Sequence, residues 1–182
     1  MPRDLDAPQG DEKYFEDAKP TRVFDSKLLR EPLRVLPHPK PIVLSPHDTV
    51  TEAMRTMQAE HRGYVVVTGD GTTHTPIQGI FTERDVLFRI VDRGRNPATL
   101  PLSEVMTRDP ETLPETARFA HLLNKMSVGG FRHVPVVDEG GCPVFVVSVK
   151  DVVVILVESF PREIHNLPEV DGPGISRSRE GA

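Results

Sequence analysis

Apolar positions through the middle of the chain fall into short blocks, and the blocks recur. Val50, Ala53, Met54 and Met57 lie at i, i+3, i+4 and i+7, the spacing of one helical face, with Asp48 or Thr49 placed to cap its start. Adding 69 to each number gives Phe119, Leu122, Leu123 and Met126, the same apolar stripe. A second stripe, Val86, Leu87, Ile90 and Val91, returns 66 positions later as Val152, Val153, Leu156 and Val157. Both pairs of stripes predict buried helical faces. Between the helices, Tyr64–Thr68 and 77–81 are short, β-rich and separated by a Gly-containing turn, which predicts a hairpin. Their counterparts are His133–Val137 and 144–147, joined by Asp138, Glu139, Gly140 and Gly141. Extended segments (Ile42, Val43, Leu44 and Glu111, Thr112, Leu113) precede each first helix. Each copy reads strand, helix, strand, strand, helix.

Single residues repeat as well. Pro32-Leu33 recurs at Pro101-Leu102, Pro41 at Pro110 and Leu44 at Leu113, each 69 positions on, and Thr82-x-x-Asp85 recurs as Ser148-x-x-Asp151, 66 positions on. A longer turn in the first copy, around residues 68–73, accounts for the three-residue difference. A period of this length points to a duplicated domain rather than a solenoid. The fold class expected is α/β (α+β): two β-α-β-β-α repeats whose small sheets pack against helices. The first repeat is placed at 26–94 and the second at 95–160, with Asn96-Pro97, Pro101 and Pro110 punctuating the joint. An acidic, solvated tail is expected over 1–25 and a largely flexible extension over 161–182.

Composition narrows the function classes. The chain has 182 residues, 37 % hydrophobic, with no Trp and a net charge of −5. It is long enough to bury a core, and it lacks the basic footprint that nucleic acid or an anionic lipid surface requires. The longest apolar run, 152–157, is far too short for a bilayer, and no charged-then-apolar leader is evident, so neither membrane partner nor export is expected. A single cysteine, Cys142, excludes an internal disulfide and a multi-thiolate zinc site; a reducing cytoplasm is the default compartment.

The repeated segments carry a resemblance. Gly79-Ile80-Phe81-Thr82-Glu83-Arg84-Asp85-Val86-Leu87 resembles the closing signature of a cystathionine-β-synthase-type (CBS) domain, and Phe131-Arg132-His133-Val134-Pro135-Val136-Val137-Asp138 is similar to the second copy's hairpin start. Ser103-Glu104-Val105-Met106-Thr107 resembles the segment that opens such a domain. The similarity covers roughly 26–160. It implies a tandem pair related by a pseudo-two-fold, with clefts that take adenosine-containing ligands, and assembly into disc-like dimers. With no catalytic or transport domain attached, the chain resembles a stand-alone, bacterial-type regulatory module. The resemblance implies no obligatory cofactor, AMP or ATP as regulatory ligand, a homodimer, and an effector protein of unknown identity.

Thr82-Glu83-Arg84-Asp85 stands where a strand ends and a helix begins. The Thr82 hydroxyl and the free N–H groups of the first turn suit a phosphate. The carboxylate of Asp85 suits the two hydroxyls of a ribose. Ser148, Lys150 and Asp151 repeat the arrangement, with Arg84 and Lys150 as cations beside the carboxylates. The same spacing also describes a variant capping box, in which each side chain satisfies only a backbone N–H, and the two roles can coexist. Arg132 and His133 can set positive charge near a phosphate, histidine adding pH dependence, or can be a surface arginine and a strand-end histidine. The first copy has Gly63 and Tyr64 there, with His61 and Arg62 just upstream, so the two clefts are not expected to be equivalent.

Val65, Ile80, Val136 and Val146 are candidates to flank a base or to fill the core. Phe145, standing where the first copy has Gly79, is expected to crowd the second cleft or stack on a base. Val154 and Ile155 extend the last helix's apolar face toward a second copy or a C-terminal segment at 160–167. Two rivals to a nucleotide sensor remain. One is a ligand-free dimerisation module whose motifs are caps. The other is a small nucleotide hydrolase, for which no nucleophile or metal set is evident.

Overall fold

The computed structural model describes residues 26–159; the expected tail (1–25), the extension (161–182) and the 160–167 segment lie outside the described residues. Asp25–Val153 make up one compact unit, and the packing below concerns that unit. A short helix α1 (Ser26–Arg30) and a 3-10 turn (Leu33–Val35) lead into β1 (Val43–Leu44), α2 (Val50–Ala59), β2 (Tyr64–Thr68), β3 (Ile77–Thr82) and α3 (Glu83–Asp85). After α3 the chain winds as a π-helix over Val86–Val91. The second copy follows with a 3-10 turn (Leu102–Glu104), β4 (Thr107–Arg108), β5 (Leu113–Pro114), α4 (Phe119–Gly129), β6 (His133–Val137), β7 (Pro143–Ser148) and α5 (Val149–Ser159).

The duplication holds at the level of single hydrogen bonds. One sheet is ordered β1-β2-β3-β4 and the other β5-β6-β7; in each the first pairing is parallel and the hairpin antiparallel. Both hairpins carry a register shift at the same place, between Val67 and Thr68 and between Val136 and Val137. Helix α2 starts at a full capping box: the Thr49 hydroxyl accepts from the Glu52 N–H at 3.2 Å, and the Glu52 carboxylate accepts from the Thr49 N–H at 2.7 Å. Helix α4 has Arg118 in that place, without a side-chain cap, and ends on Gly130 at φ 69°, a left-handed position suited to glycine.

The repeats are also interlocked. The N–H of Leu33, in the lead-in to the first repeat, donates to Ala117 O at 2.8 Å, while the N–H of Leu102 donates to Asp48 O at 2.9 Å. Correspondingly, the Phe119 N–H donates to Glu31 O and the Val50 N–H to Leu100 O, both at 2.9 Å. Each Pro-Leu lead-in thus pairs with the first helix of the other repeat. The first repeat's core (Val50, Ala53, Met57, Val65, Val67, Phe81, Ile90) is completed by Leu100, Leu102, Val105 and Met106 from across the joint. A smaller cluster, Tyr64, Val66, Ile80 and Val146, joins the two sheets.

The stripes of the first helices are buried as expected at Val50, Ala53, Met57, Phe119 and Leu122, but those of the closing helices are not. Ile90 is buried, whereas Leu87 and Val91 are 60 % and 66 % exposed and Phe88 is 58 % exposed. Two bonds spanning five residues, from the Asp92 N–H to Leu87 O and from the Arg95 N–H to Ile90 O, rotate this segment away from the α-helical stripe. In α5 Val153 and Val154 are exposed, while Ile155 is buried rather than displayed.

Phe145 also lies away from the face expected of it. Side chains alternate along β7, so Val146 and Ser148 face one side and Phe145 the other. Phe145 is fully buried, stacked under the ring of His38 at 3.7 Å, and neither crowds nor lines a cleft. In the first sheet the corresponding edge is paired by β4 through Gly79↔Arg108 and Ile80↔Thr107. A side chain at Gly79 would run into Met106 there, its Cβ falling 2.4 Å from the sulfur. On β7 the lead-in contains Pro37, Pro39 and Pro41, which have no N–H to give, and no fourth strand forms among the described residues.

Candidate functional site

Two clefts open along the ends of the hairpins. The first, about 350 Å³, is lined by Ile80, Thr82, Arg84, Asp85 and Arg89 of the first repeat, together with Thr107, Gly130, Phe131, Arg132 and His133 of the second. The second, about 490 Å³, is lined by Val146, Ser148, Lys150 and Asp151 with His61, Arg62 and Tyr64 of the first. Gly63, Glu83, Arg132 and His133 line both. The hydroxyl and acid of one repeat therefore meet the basic strand start of the other. The clefts hold all the residues singled out from spacing: Thr82, Arg84, Asp85, Arg132 and His133 in the first; Ser148, Lys150, Asp151, Arg132 and His133 in the second, where the cations that cross over from the other repeat are His61 and Arg62.

Both motifs are caps as well. The Thr82 N–H and hydroxyl donate to Asp85 Oδ2 at 2.9 and 2.8 Å, and those of Ser148 to Asp151 Oδ2 at 2.7 Å each. The Asp151 N–H returns a bond to the Ser148 hydroxyl at 3.3 Å. The first N–H of each closing helix is also committed: Glu83 donates to Gly63 O at 3.1 Å and Val149 to Arg132 O at 3.0 Å. The phosphate cradle expected from free N–H groups is shortened by one donor on each side, so cationic side chains must carry more of an anion's charge.

Those cations differ in freedom. Arg62 is pinned, donating to Lys40 O at 2.7 Å and to the Tyr64 hydroxyl at 3.2 Å. Arg84 lies over the Phe88 ring, 5.4 Å from its centroid. Arg132 is exposed at the junction of the clefts. The Glu83 carboxylate rests against Gly63, where a Cβ would come 2.9 Å from Oε2. Spacing missed Glu83, Gly63 and Arg89; only Arg89 carried a signal, its i,i+4 relation to Asp85. Of the base-flanking candidates, Ile80 and Val146 line the first and second clefts respectively, whereas Val65 and Val136 are wholly buried and line neither.

His133 is partly buried, its ring 5.2 Å from that of Tyr64. Burial pushes its pKa below the ordinary histidine value, outweighing the nearby carboxylates of Glu83 and Asp151; Arg132 pushes the same way as burial. Burial likewise raises the Tyr64 phenol. Because the fold favours neutral His133, the unfolded chain binds the extra proton, and stability falls as pH drops through about 6.5, the unfolded value. His133→Gln is therefore expected to flatten the loss of melting temperature between pH 7.5 and 5.5, read by calorimetry without ligand. An equally steep loss in the variant would assign that proton elsewhere.

The geometry defines a class of protein: a duplicated α/β pair with two clefts built crosswise from a hydroxyl–carboxylate cap and a basic strand start. The family model for the CBS domain matches residues 33–92 and 102–158, and the chain belongs to the CBS domain family. It is 31 % identical over 123 residues to the CBS domain-containing protein CBSX3, mitochondrial, of Arabidopsis thaliana, covering 66 % of this chain and 58 % of that protein. With the CBS domain-containing protein CBSCBSPB2 of the same plant it is 30 % identical, over 68 % of this chain but 22 % of the relative. The chain thus spans only part of the length of these relatives. Among solved structures, the CBS domain protein PAE2072 from Pyrobaculum aerophilum, complexed with AMP, matches with a TM-score of 0.62 and 25 % identity, over 70 % of this chain and 97 % of that one. No helix among the described residues is long and apolar enough to cross a membrane.

Proposed function

We propose that the chain is a regulatory module that binds an adenosine nucleotide, AMP or ATP, and passes a change of shape to a partner protein. The observation that carries this reading is the meeting, in each cleft, of a hydroxyl–carboxylate pair from one repeat with cations from the other. A carboxylate accepts from the ribose hydroxyls, and Arg84, Lys150, Arg132 and His133 offer donors to phosphate; the Thr82 and Ser148 hydroxyls join them by turning away from Asp85 and Asp151. A ligand touching both repeats binds best when they are correctly apposed, and that differential affinity is what shifts a conformational equilibrium. The AMP complex of a structurally similar CBS protein supports the ligand class. The role is regulatory rather than catalytic, and the setting a reducing, nucleotide-containing compartment such as the cytoplasm.

A second reading, a ligand-free assembly module, draws on a specific observation: the caps satisfy themselves, and Leu87, Phe88 and Val91 expose apolar surface suited to a second copy. A thermal-shift series with adenosine, AMP, ADP, ATP and NAD separates the two. Binding at a hundredfold excess over Kd stabilises by about 2.7 kcal/mol, a rise of roughly 5–10 °C for a chain of this size. The rise should shrink in Asp85→Ala and Asp151→Ala. No rise with any of the five, and no nucleotide retained by the purified protein in mass spectrometry, would leave the assembly reading standing. A dimer, on either reading, is checked by sedimentation.

A further inference from the structure

The two carboxylates are not equally available. A carboxylate offers about four acceptor positions, two on each oxygen. On Asp151 the Ser148 N–H and hydroxyl both use Oδ2, and Oδ1 accepts no hydrogen bond among the described residues. On Asp85 the same two bonds fall on Oδ2, but Oδ1 is ion-paired with Arg89, whose Nε lies 3.1 Å away. Arg89 is itself held in place: Nη1 donates to Val105 O at 2.5 Å and Nη2 to the Thr107 hydroxyl at 3.1 Å. The Asp85 side chain is left 13 % exposed. The second repeat has Ile155 at the position equivalent to Arg89, and isoleucine has no donor to offer.

We infer that Arg89 makes the Ser148–Asp151 cleft the primary ribose site and holds the Thr82–Asp85 cleft as a weaker one. A ribose presents two adjacent hydroxyls and needs two acceptors. Asp151 has two in hand, both on the open oxygen. On Asp85 the same oxygen faces the Arg89 guanidinium, and opening it to a ribose means displacing a side chain held by that ion pair and by two hydrogen bonds. The inference rests on the nucleotide reading above and adds which cleft fills first and which side chain decides it.

The test is calorimetric titration of the full chain with AMP, alongside 2′-deoxy-AMP. Relative to the wild type, Asp151→Ala should weaken the tighter site by about tenfold or more, the scale of a lost charged hydrogen-bond pair, while Asp85→Ala changes it less than about threefold. Arg89→Met keeps the aliphatic stem and removes the guanidinium; it should strengthen the weaker site by about fivefold or more, or raise the measured stoichiometry from one to two. AMP should outcompete 2′-deoxy-AMP more strongly in the wild type than in Asp151→Ala, a comparison that does not depend on Arg89→Met folding. Loss of tight binding in Asp85→Ala with Asp151→Ala unaffected overturns the inference. So does a folded Arg89→Met with wild-type affinities and stoichiometry. Failure of every form, wild type included, to bind AMP, ATP or adenosine at millimolar concentration instead overturns the nucleotide reading, and this inference with it.

Discussion

Leu102→Ala is expected to destabilise the protein by about 3 kcal/mol, within the range for truncating a fully buried leucine. By position Leu102 belongs to the second repeat, yet its side chain is fully buried in the first repeat's core with Val50, Met57 and Phe81. The cost should be read in urea as a lower midpoint at unchanged slope, which is the mark of lost stability rather than altered compactness. Leu87→Ala, on a residue 60 % exposed, serves as the control and should stay within about 0.5 kcal/mol of wild type in dilute solution. Leu33→Ala should behave as Leu102→Ala does, because Leu33 is equally buried and its N–H makes the equivalent bond. A loss below about 1 kcal/mol at Leu102 would mean that the first repeat closes without its neighbour's lead-in.

Arg132→Ala carries the largest effect expected on binding. Arg132 lines both clefts, is exposed, and its guanidinium makes no hydrogen bond or ion pair to another described residue, so its charge is free for a ligand. A charge-assisted bond contributes about 1.5–3 kcal/mol, so removing it should weaken nucleotide binding by roughly 10–100-fold, and at both clefts together. Stability should barely change. Arg62→Ala should weaken the second cleft alone, since Arg62 does not line the first. AMP titration decides between them: a change confined to one cleft in Arg132→Ala would show that the phosphates do not approach the junction.

Much of the fold was legible because the chain states it twice. Tyr64–Thr68 and His133–Val137 are strands at the bounds read from β-rich composition, and α2 and α4 begin at Val50 and Phe119, where the apolar stripes begin. The exchange of lead-ins was not legible, although Pro32-Leu33 and Pro101-Leu102 were recognised as equivalent. Periodicity records that a leucine is buried, not which repeat buries it. The same blindness put Leu87 and Val91 inside: an i, i+3, i+4 stripe is identical whether it meets the chain's own core or a surface, and the π winding leaves no compositional trace. At the clefts, spacing found each hydroxyl–carboxylate pair because hydroxyl and acid are three residues apart. The opposing cations arrive from roughly fifty residues further along the chain or from nearly ninety residues back, a distance no local pattern spans. Phe145 departs from expectation for a simpler reason: its repeat position sets it opposite Gly79, but alternation along β7 turns the ring to the face away from the cleft.

The prolines beside β7 have a further consequence. An unpaired strand margin invites a neighbouring molecule to add its own strand, the first step toward domain swapping or fibril growth. Here a ribbon with Pro37, Pro39 and Pro41 runs past that margin, with His38 laid flat on Phe145, and a ribbon so poor in donors cannot itself be extended into a ladder. The first sheet guards the same margin with β4, and the second guards it with residues that refuse to pair. Colloidal safety at high cellular concentration is thus built into the segment that otherwise serves only to deliver the chain to β1.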